Sequence, residues 1–208
     1  MKMIFLPMLV PLLLLSSEYP HFTENDFISI EKKSGRIAKN RSNDYQKTIT
    51  TLQSTNETKQ LNSVNRYLNQ LLPQYDAVTQ NKEDHWATPK EFLAKGYGDC
   101  EDYVIIKYFS LLKLGFDSKK LYLTTVNELY TGGYHMVLSY FKEQNKSPLI
   151  LDNLSFRILP LNKRSDIRAD LFINAKGIYK IDSNNKLYKI GAYSKKFQEL
   201  LKRVNKNL

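Results

Sequence analysis

The hydrophobic positions of this chain change their period once, from helical to alternating, and that change orders the fold. Leu61, Val64, Tyr67, Leu68, Leu71 and Leu72 recur at helical spacing until Pro73, which lacks an amide hydrogen and ends the helix. Residues 74–85 then read as a connecting loop. Thr88-Pro89-Lys90-Glu91 supplies a cap residue and a proline at the first helical position. Phe92-Leu93 begin a short apolar face, and Gly96 and Gly98 close that helix in a turn. A second helix starts at Cys100, with Val104, Ile105, Tyr108, Leu111 and Leu112 on one face and Gly115 as its stop. Beyond it, residues 121–129, 134–141 and 148–153 are short β-like runs, and Gly132-Gly133 marks a turn before the second of them. Residues 178–181 and 187–190 read as a hairpin joined by Asp182-Ser183-Asn184-Asn185. Phe197, Leu200, Leu201 and Val204 form one face of a lysine-rich final helix, packed on the domain or lying on a membrane surface. Helices leading into an antiparallel sheet predict an α+β fold.

The rest of the chain divides accordingly. Residues 1–17 are an export signal or N-terminal anchor, and 18–60 a polar, weakly patterned extension with one or two short helices. Residues 61–192 form the main domain, and 193–208 the C-terminal amphipathic helix. A chain of 208 residues holds one domain with a sizeable core, and 14 tyrosines and 10 phenylalanines supply material for it. The formal charge of +10 raises nucleic-acid binding. The lysines are scattered among asparagines rather than gathered on a stripe, so that reading is weak, and attraction to an acidic protein substrate stays open.

The N-terminus changes what the cysteine means. Lys2 precedes an apolar stretch over residues 3–15, broken by Pro7 and Pro11, and Ser16-Ser17 follow. That stretch falls short of the roughly 20 apolar residues needed to span a bilayer, so export is the expectation. In an exported protein a lone cysteine has no internal disulfide partner, which suggests a reactive thiol or pairing with another chain. The contrary reading is a buried, inert cysteine. Asp99 and Glu101 on either side argue against it.

Cys100 lies in Gly98-Asp99-Cys100-Glu101-Asp102-Tyr103 at a helix start, where free N–H groups and the helix dipole favour a thiolate. His135, on the strand Tyr134-His135-Met136-Val137-Leu138, is the natural base. Asp152, in Ile150-Leu151-Asp152-Asn153, would accept the other ring N–H, fix the tautomer and stabilise imidazolium. A single strand histidine is more often structural, but the thiol upstream and the carboxylate downstream reverse that balance. His21 and His85 lie in poorly patterned segments. Backbone N–H groups at the helix start could form part of an oxyanion hole. Asp99, Glu101 and Asp102 crowd carboxylates around the thiol and would raise its pKa. Capping by Asp99 with first-turn acids explains them, and so does a bound Ca²⁺; the residues alone favour capping.

Taken together, several segments resemble the bacterial transglutaminase-like cysteine proteases, the LapG-type periplasmic proteases, over residues 61–181. They are Val64-Asn65, Trp86-Ala87-Thr88-Pro89-Lys90-Glu91-Phe92, Gly96-Tyr97-Gly98-Asp99-Cys100-Glu101-Asp102-Tyr103, His135-Met136-Val137-Leu138, and Leu151-Asp152-Asn153-Leu154 followed by Ile158 and Pro160. The resemblance implies a papain/transglutaminase-like core, with the nucleophile at a helix N-terminus packed on an antiparallel sheet carrying His and Asp. It implies Cys100, His135 and Asp152 as catalytic residues and Asp99, Glu101 and Asp102 as Ca²⁺ ligands. Tyr97 stands where relatives often place a further acid, which implies a weaker site or a backbone carbonyl there. Trp86 matches the family tryptophan, which lines the substrate cleft or packs. The implied function is a calcium-dependent periplasmic endopeptidase that clips the N-terminal region of a large secreted adhesin and so controls biofilm attachment. An inner-membrane cyclic-di-GMP receptor would sequester it. Acyl transfer to an amine and a non-catalytic binding module on the same fold are the alternatives.

Overall fold

Four helices precede the strands of the main sheet along the chain, and a fifth follows them. The computed structural model describes residues 21–73, 85–143 and 145–206; the export segment and all but the last residue of the 74–85 loop lie outside them. Helix α1 (Glu24–Leu52) opens on a Thr23/Asp26 capping box and bends at Gly35, whose φ of 84° breaks it into two helical pieces. Helix α2 (Glu57–Leu68) is capped by the Asn56 side chain. Strands β1 (Leu72–Pro73) and β2 (Tyr97–Gly98) pair in parallel and flank α3 (Pro89–Lys95), which carries the predicted Thr88/Glu91 capping box. Helix α4 (Cys100–Lys113) follows at once. Strands β3 (Leu121–Glu128), β4 (Tyr134–Tyr140), β5 (Leu149–Asp152), β6 (Ser155–Pro160), β7 (Ile167–Asn174), β8 (Gly177–Ile181) and β9 (Leu187–Gly191) make a sheet in the order β6-β5-β4-β3-β7-β8-β9. All its neighbouring strands are antiparallel. Helix α5 (Lys195–Lys206) closes the described chain.

Three parts of this layout differ from the sequence expectation. The helix read as running to Pro73 ends at Leu68, and Leu72–Pro73 pair as strand β1 instead. The weakly patterned N-terminal segment is a 29-residue helical stretch rather than one or two short helices. Its buried stripe of Ala38, Ser42, Tyr45, Ile49 and Leu52 is narrow and contains a serine, so charge on the other faces masks its period. The stripe docks through a buried hydrogen bond of 2.7 Å between the Tyr45 and Ser110 hydroxyls. Strands β6 and β7 went unpredicted because Arg157, Arg168 and Asp170 interrupt them, and both run partly exposed.

The main core lies between the helices and one face of the sheet. Phe92, Tyr103, Ile105 and Leu111 from α3 and α4 meet Leu121, Leu123, Met136, Leu138 and Leu151 from the strands. Alternation puts Val137 on the other face, in a small cluster with Val126, Ile150 and Ile167. His135 shares that face, opposite Val126 in the β3–β4 register. Helix α5 turns Phe197, Leu200 and Val204 into the main core, with the Phe197 ring edge-on to Tyr108 at 5.6 Å. Its apolar face is therefore covered by the chain's own core, as the domain-packed reading expects.

Truncating Phe197, fully buried at 0% exposure, is expected to cost about 3–5 kcal/mol. The check is urea unfolding of Phe197→Ala, whose midpoint should fall at an unchanged slope. Ile37→Ser, at a position 76% exposed, should stay within about 0.5 kcal/mol of the native protein.

Candidate active site

Two glycines set the turn that presents Cys100. Gly96 ends α3 in the left-handed conformation (φ 84°), and a Cβ there would run into the Arg41 guanidinium, which itself donates to the Leu93 carbonyl at 2.6 Å. At Gly98 a Cβ would meet Asp102 Oδ2 at 2.6 Å and the Phe92 ring at 2.8 Å, so only glycine lets that carboxylate lie on the backbone. The Asp99 side chain accepts the Asp102 amide at 3.3 Å and caps α4, leaving Cys100 as the first helical residue, half-buried. Its thiol donates to Glu101 Oε2 at 2.9 Å, while the Met136 backbone N–H points at the sulfur. Burial pushes the thiol pKa well up, and the Glu101 and Asp99 charges push it the same way, against the Met136 amide. The helix start alone predicts a thiolate; the burial and the acids around it keep the thiol protonated.

The imidazole and the carboxylate are in direct contact. His135 Nε2 lies 2.9 Å from Asp152 Oδ1, with both residues buried. Burial alone would raise the Asp152 pKa. Hydrogen bonds from His135, the Leu154 amide (2.9 Å to Oδ1) and Arg164 Nη2 (2.8 Å to Oδ2) outweigh it and hold the carboxyl well below the usual range. An ionised Asp152 only accepts, so Nε2 carries the hydrogen and the lone pair of a neutral His135 sits on Nδ1. No hydrogen bond joins Cys100 to His135 among the described residues. The Met136 amide nevertheless brings the sulfur beside the residue that follows the histidine. His21 and His85 are exposed, and His85 instead faces Arg203 and Glu91.

Sequence reasoning missed the groups that hold Asp152. Arg164 bridges Asp152 and Asp166, with Nε on Asp166 Oδ1 at 2.8 Å and Nη2 on its Oδ2 at 2.6 Å. Asn69, the C-cap of α2, donates to the Asp152 carbonyl at 2.7 Å. In the sequence, Arg164-Ser165-Asp166 looks like any surface charge pair. A third missed group, Lys107, did leave a signal: it interrupts the apolar face between Val104 and Leu111.

The acids beside the thiol offer carboxylate oxygens to a cation. Asp102 is buried, with Oδ1 accepting the Ala87 amide at 2.7 Å. Burial raises its pKa to about 6 against the opposing Ala87 amide and Lys95, and Glu101 adds to the rise. Glu101 is turned to the thiol and Asp99 to the helix start. Among the described residues no three His, Cys, Asp or Glu side chains already converge as a metal cage. The donors are nonetheless hard oxygens whose mutual repulsion a divalent cation would relieve, and that chemistry fits Ca²⁺. Tyr97 stands on β2, partly exposed. Trp86 is packed: it is buried in the main core, Lys196 Nζ lies 4.7 Å from its ring centroid, and Arg203 donates to its carbonyl.

Residues 31–166 match the family model of the bacterial transglutaminase-like cysteine proteinases. In structure the chain is similar to calcium-bound Legionella pneumophila LapG, with a TM-score of 0.74 and 32% identity over 85% of this chain and 98% of that one. A second structure of the same LapG gives 0.74 and 32% identity, over 89% and 97% of the two chains. An EGTA-treated form gives 0.73 and 31%, over 86% and 97%. No curated protein matches in sequence.

Arg164→Met leaves a buried carboxylate short of a partner and is expected to cost about 3–5 kcal/mol at pH 7. Because the Asp152 pKa is lower in the fold than in the unfolded chain, its stabilisation is present at neutral pH. That stabilisation fades as pH falls below about 4. Unfolding at pH 7 and pH 3 should therefore show the gap between variant and native protein narrowing in acid.

Proposed function

We propose that this chain, which belongs to the bacterial transglutaminase-like cysteine proteinases, is a calcium-dependent periplasmic endopeptidase that clips the N-terminal region of a large cell-surface adhesin. Cys100 is its nucleophile, His135 its base and Asp152 the orienting acid. The observation that carries this reading is the buried 2.9 Å His135–Asp152 contact beside a thiol at a helix start.

The chemistry follows from the tautomer. With Nε2–H held by Asp152, His135 Nδ1 takes the Cys100 proton as the sulfur attacks the peptide carbonyl. Free N–H groups at the start of α4 stabilise the oxyanion. The imidazolium then gives its proton to the departing amine, and water, deprotonated by the same Nδ1, hydrolyses the thioester. Asp152 stays ionised throughout, held by Arg164 and the Leu154 amide. Asp99, Glu101 and Asp102 would hold calcium, whose charge, when bound, offsets the carboxylates that keep the thiol protonated. The calcium-bound state of the similar LapG supports this choice of metal. Residues 1–17 support export, as a cleaved signal or an inner-membrane anchor. Family likeness supports the adhesin as substrate, biofilm attachment as the process controlled, and an inner-membrane cyclic-di-GMP receptor as the sequestering partner.

Native protein and Cys100→Ala, each incubated with the N-terminal region of a co-encoded giant adhesin, test the reading. Cleavage by the native protein alone, lost on adding chelator, is expected. Equal cleavage by both proteins overturns the assignment, and cleavage insensitive to chelator overturns only the calcium requirement.

Calcium has a signature in stability as well. The Asp102 pKa is raised in the fold to about 6. Its contribution in chelator is therefore full below the unfolded value and lost as pH rises through the folded one. Asp102→Asn should be flatter over that range and, in chelator at pH 7, more stable by about 1–3 kcal/mol. Calcium should raise the melting temperature of the native protein and leave the variant unmoved.

A further inference from the structure

Each of the three groups of the candidate site has an exposed apolar side chain close by in the chain. Tyr97 (39% exposed) stands three residues before Cys100, Tyr134 (87%) directly before His135, and Leu154 (51%) two residues after Asp152. Leu129 and Tyr130 between β3 and β4, and Phe156 on β6, are exposed as well. Antiparallel pairing brings the end of β3, the start of β4, the end of β5 and the start of β6 to one end of the sheet. All of these side chains but Tyr97 therefore share that end with His135 and Asp152. The other exposed large apolar residues scatter over α1, β9 and the segment after β9. A single such residue is ordinary, whereas a group of them around reactive side chains marks a contact surface. The backbone beneath it is fixed by the site's own hydrogen bonds. Leu154 donates its amide to Asp152 Oδ1 at 2.9 Å, and Tyr134 pairs with Asn127 at the end of the β3–β4 ladder. Leu129 donates its amide to the Asp166 carbonyl at 2.8 Å, and Asp166 holds Arg164, which holds Asp152. The surface is thus preorganised relative to the groups it surrounds.

We propose that this rim seats large apolar side chains of the polypeptide substrate beside the peptide bond to be cut, with Tyr134 and Leu154 as the principal contacts. This rests on the endopeptidase reading and adds a sequence preference to it. The occupant follows from position. A second copy of the chain bound here would close off Cys100, whereas a substrate covers the rim only during turnover. Tyr134 offers a broad ring that loses little freedom on binding, and Leu154 a branched apolar group on a backbone already tied to Asp152. These contacts lie beside the reacting atoms and are the same in the bound substrate and in the transition state. They therefore lower KM and leave kcat alone.

Binding to the full-length Cys100→Ala protein, followed by the fluorescence anisotropy of labelled peptides, provides the test. A short Ser/Gly peptide with a central Leu-Phe pair is expected to bind about tenfold more tightly than the same peptide with Ser-Ser there. Adding Tyr134→Ser and Leu154→Ser to the protein should remove that difference. Equal affinity for the two peptides, or a difference that survives both substitutions, overturns the proposal. In the otherwise native protein the two substitutions should raise KM for the adhesin's N-terminal region about tenfold and leave kcat within about twofold. A fall in kcat at unchanged KM overturns it. Should the doubly substituted protein not fold, the peptide comparison on Cys100→Ala alone decides. Concentration-dependent dimers that the same substitutions abolish assign the surface to a second copy and also overturn the proposal. If the peptides differ as expected while the native protein and Cys100→Ala cleave the adhesin region alike, the apolar surface stands and the catalytic reading falls.

Discussion

A carboxylate with almost no exposure to water has to be surrounded by donors, and Asp152 collects them from distant parts of the chain. His135 comes from the neighbouring strand, Arg164 from the turn before β7 and an amide from its own turn at Leu154. Asn69, capping the end of α2, donates to the backbone carbonyl of the same residue. Each is useless for this purpose unless α2, β4, β5 and the start of β7 are already in register, so satisfying one charge requires the tertiary fold. The geometry of the His135–Asp152 pair is a consequence of that requirement. With two donors on Oδ1 and a guanidinium on Oδ2, the carboxylate has little freedom, and the imidazole it holds has one orientation.

The thiol is governed by the opposite balance. Its local environment at the start of α4 favours the anion, whereas burial and two flanking acids favour the neutral form. The net direction is upward, with burial the largest cause and the Glu101 and Asp99 charges adding to it. In the proposed mechanism a histidine base and a cation on the acids would act on the same imbalance from opposite sides. One would accept the proton and the other would remove the repulsion that retains it.

Much of this was legible in the sequence where the signal is short-ranged. The Thr88/Glu91 capping box, the glycines before Cys100, the apolar face of α4 and the alternation of β3 to β5 all depend on neighbours within a few residues, and each element formed as read. Cys100, His135 and Asp152 were identifiable as residue types in order, and the fold brings His135 and Asp152 into contact. Strands β6 and β7 were not legible, because charged residues on their open faces hide the period. Arg164 was not legible either, since its meaning lies wholly in what it is buried against.

Lys107 lies between these cases and shows where sequence reading can be extended. A lysine in the middle of an otherwise apolar helical face, with no acid one turn away to pair with, has two ways to be tolerated. It can snorkel to the surface along its stem, or a buried negative charge elsewhere in the fold can receive it. On α4 the first route is closed, because Val104, Tyr108 and Leu111 around it are themselves buried between the helix layer and the sheet. Its Nζ has no hydrogen-bond partner among the described residues; burial lowers its pKa to about 7, and the charge of Asp152, the carboxylate the imidazole already needs, opposes that fall. An interrupted apolar face is thus a pointer from a helix to a distant buried acid, and here both lead to the same site.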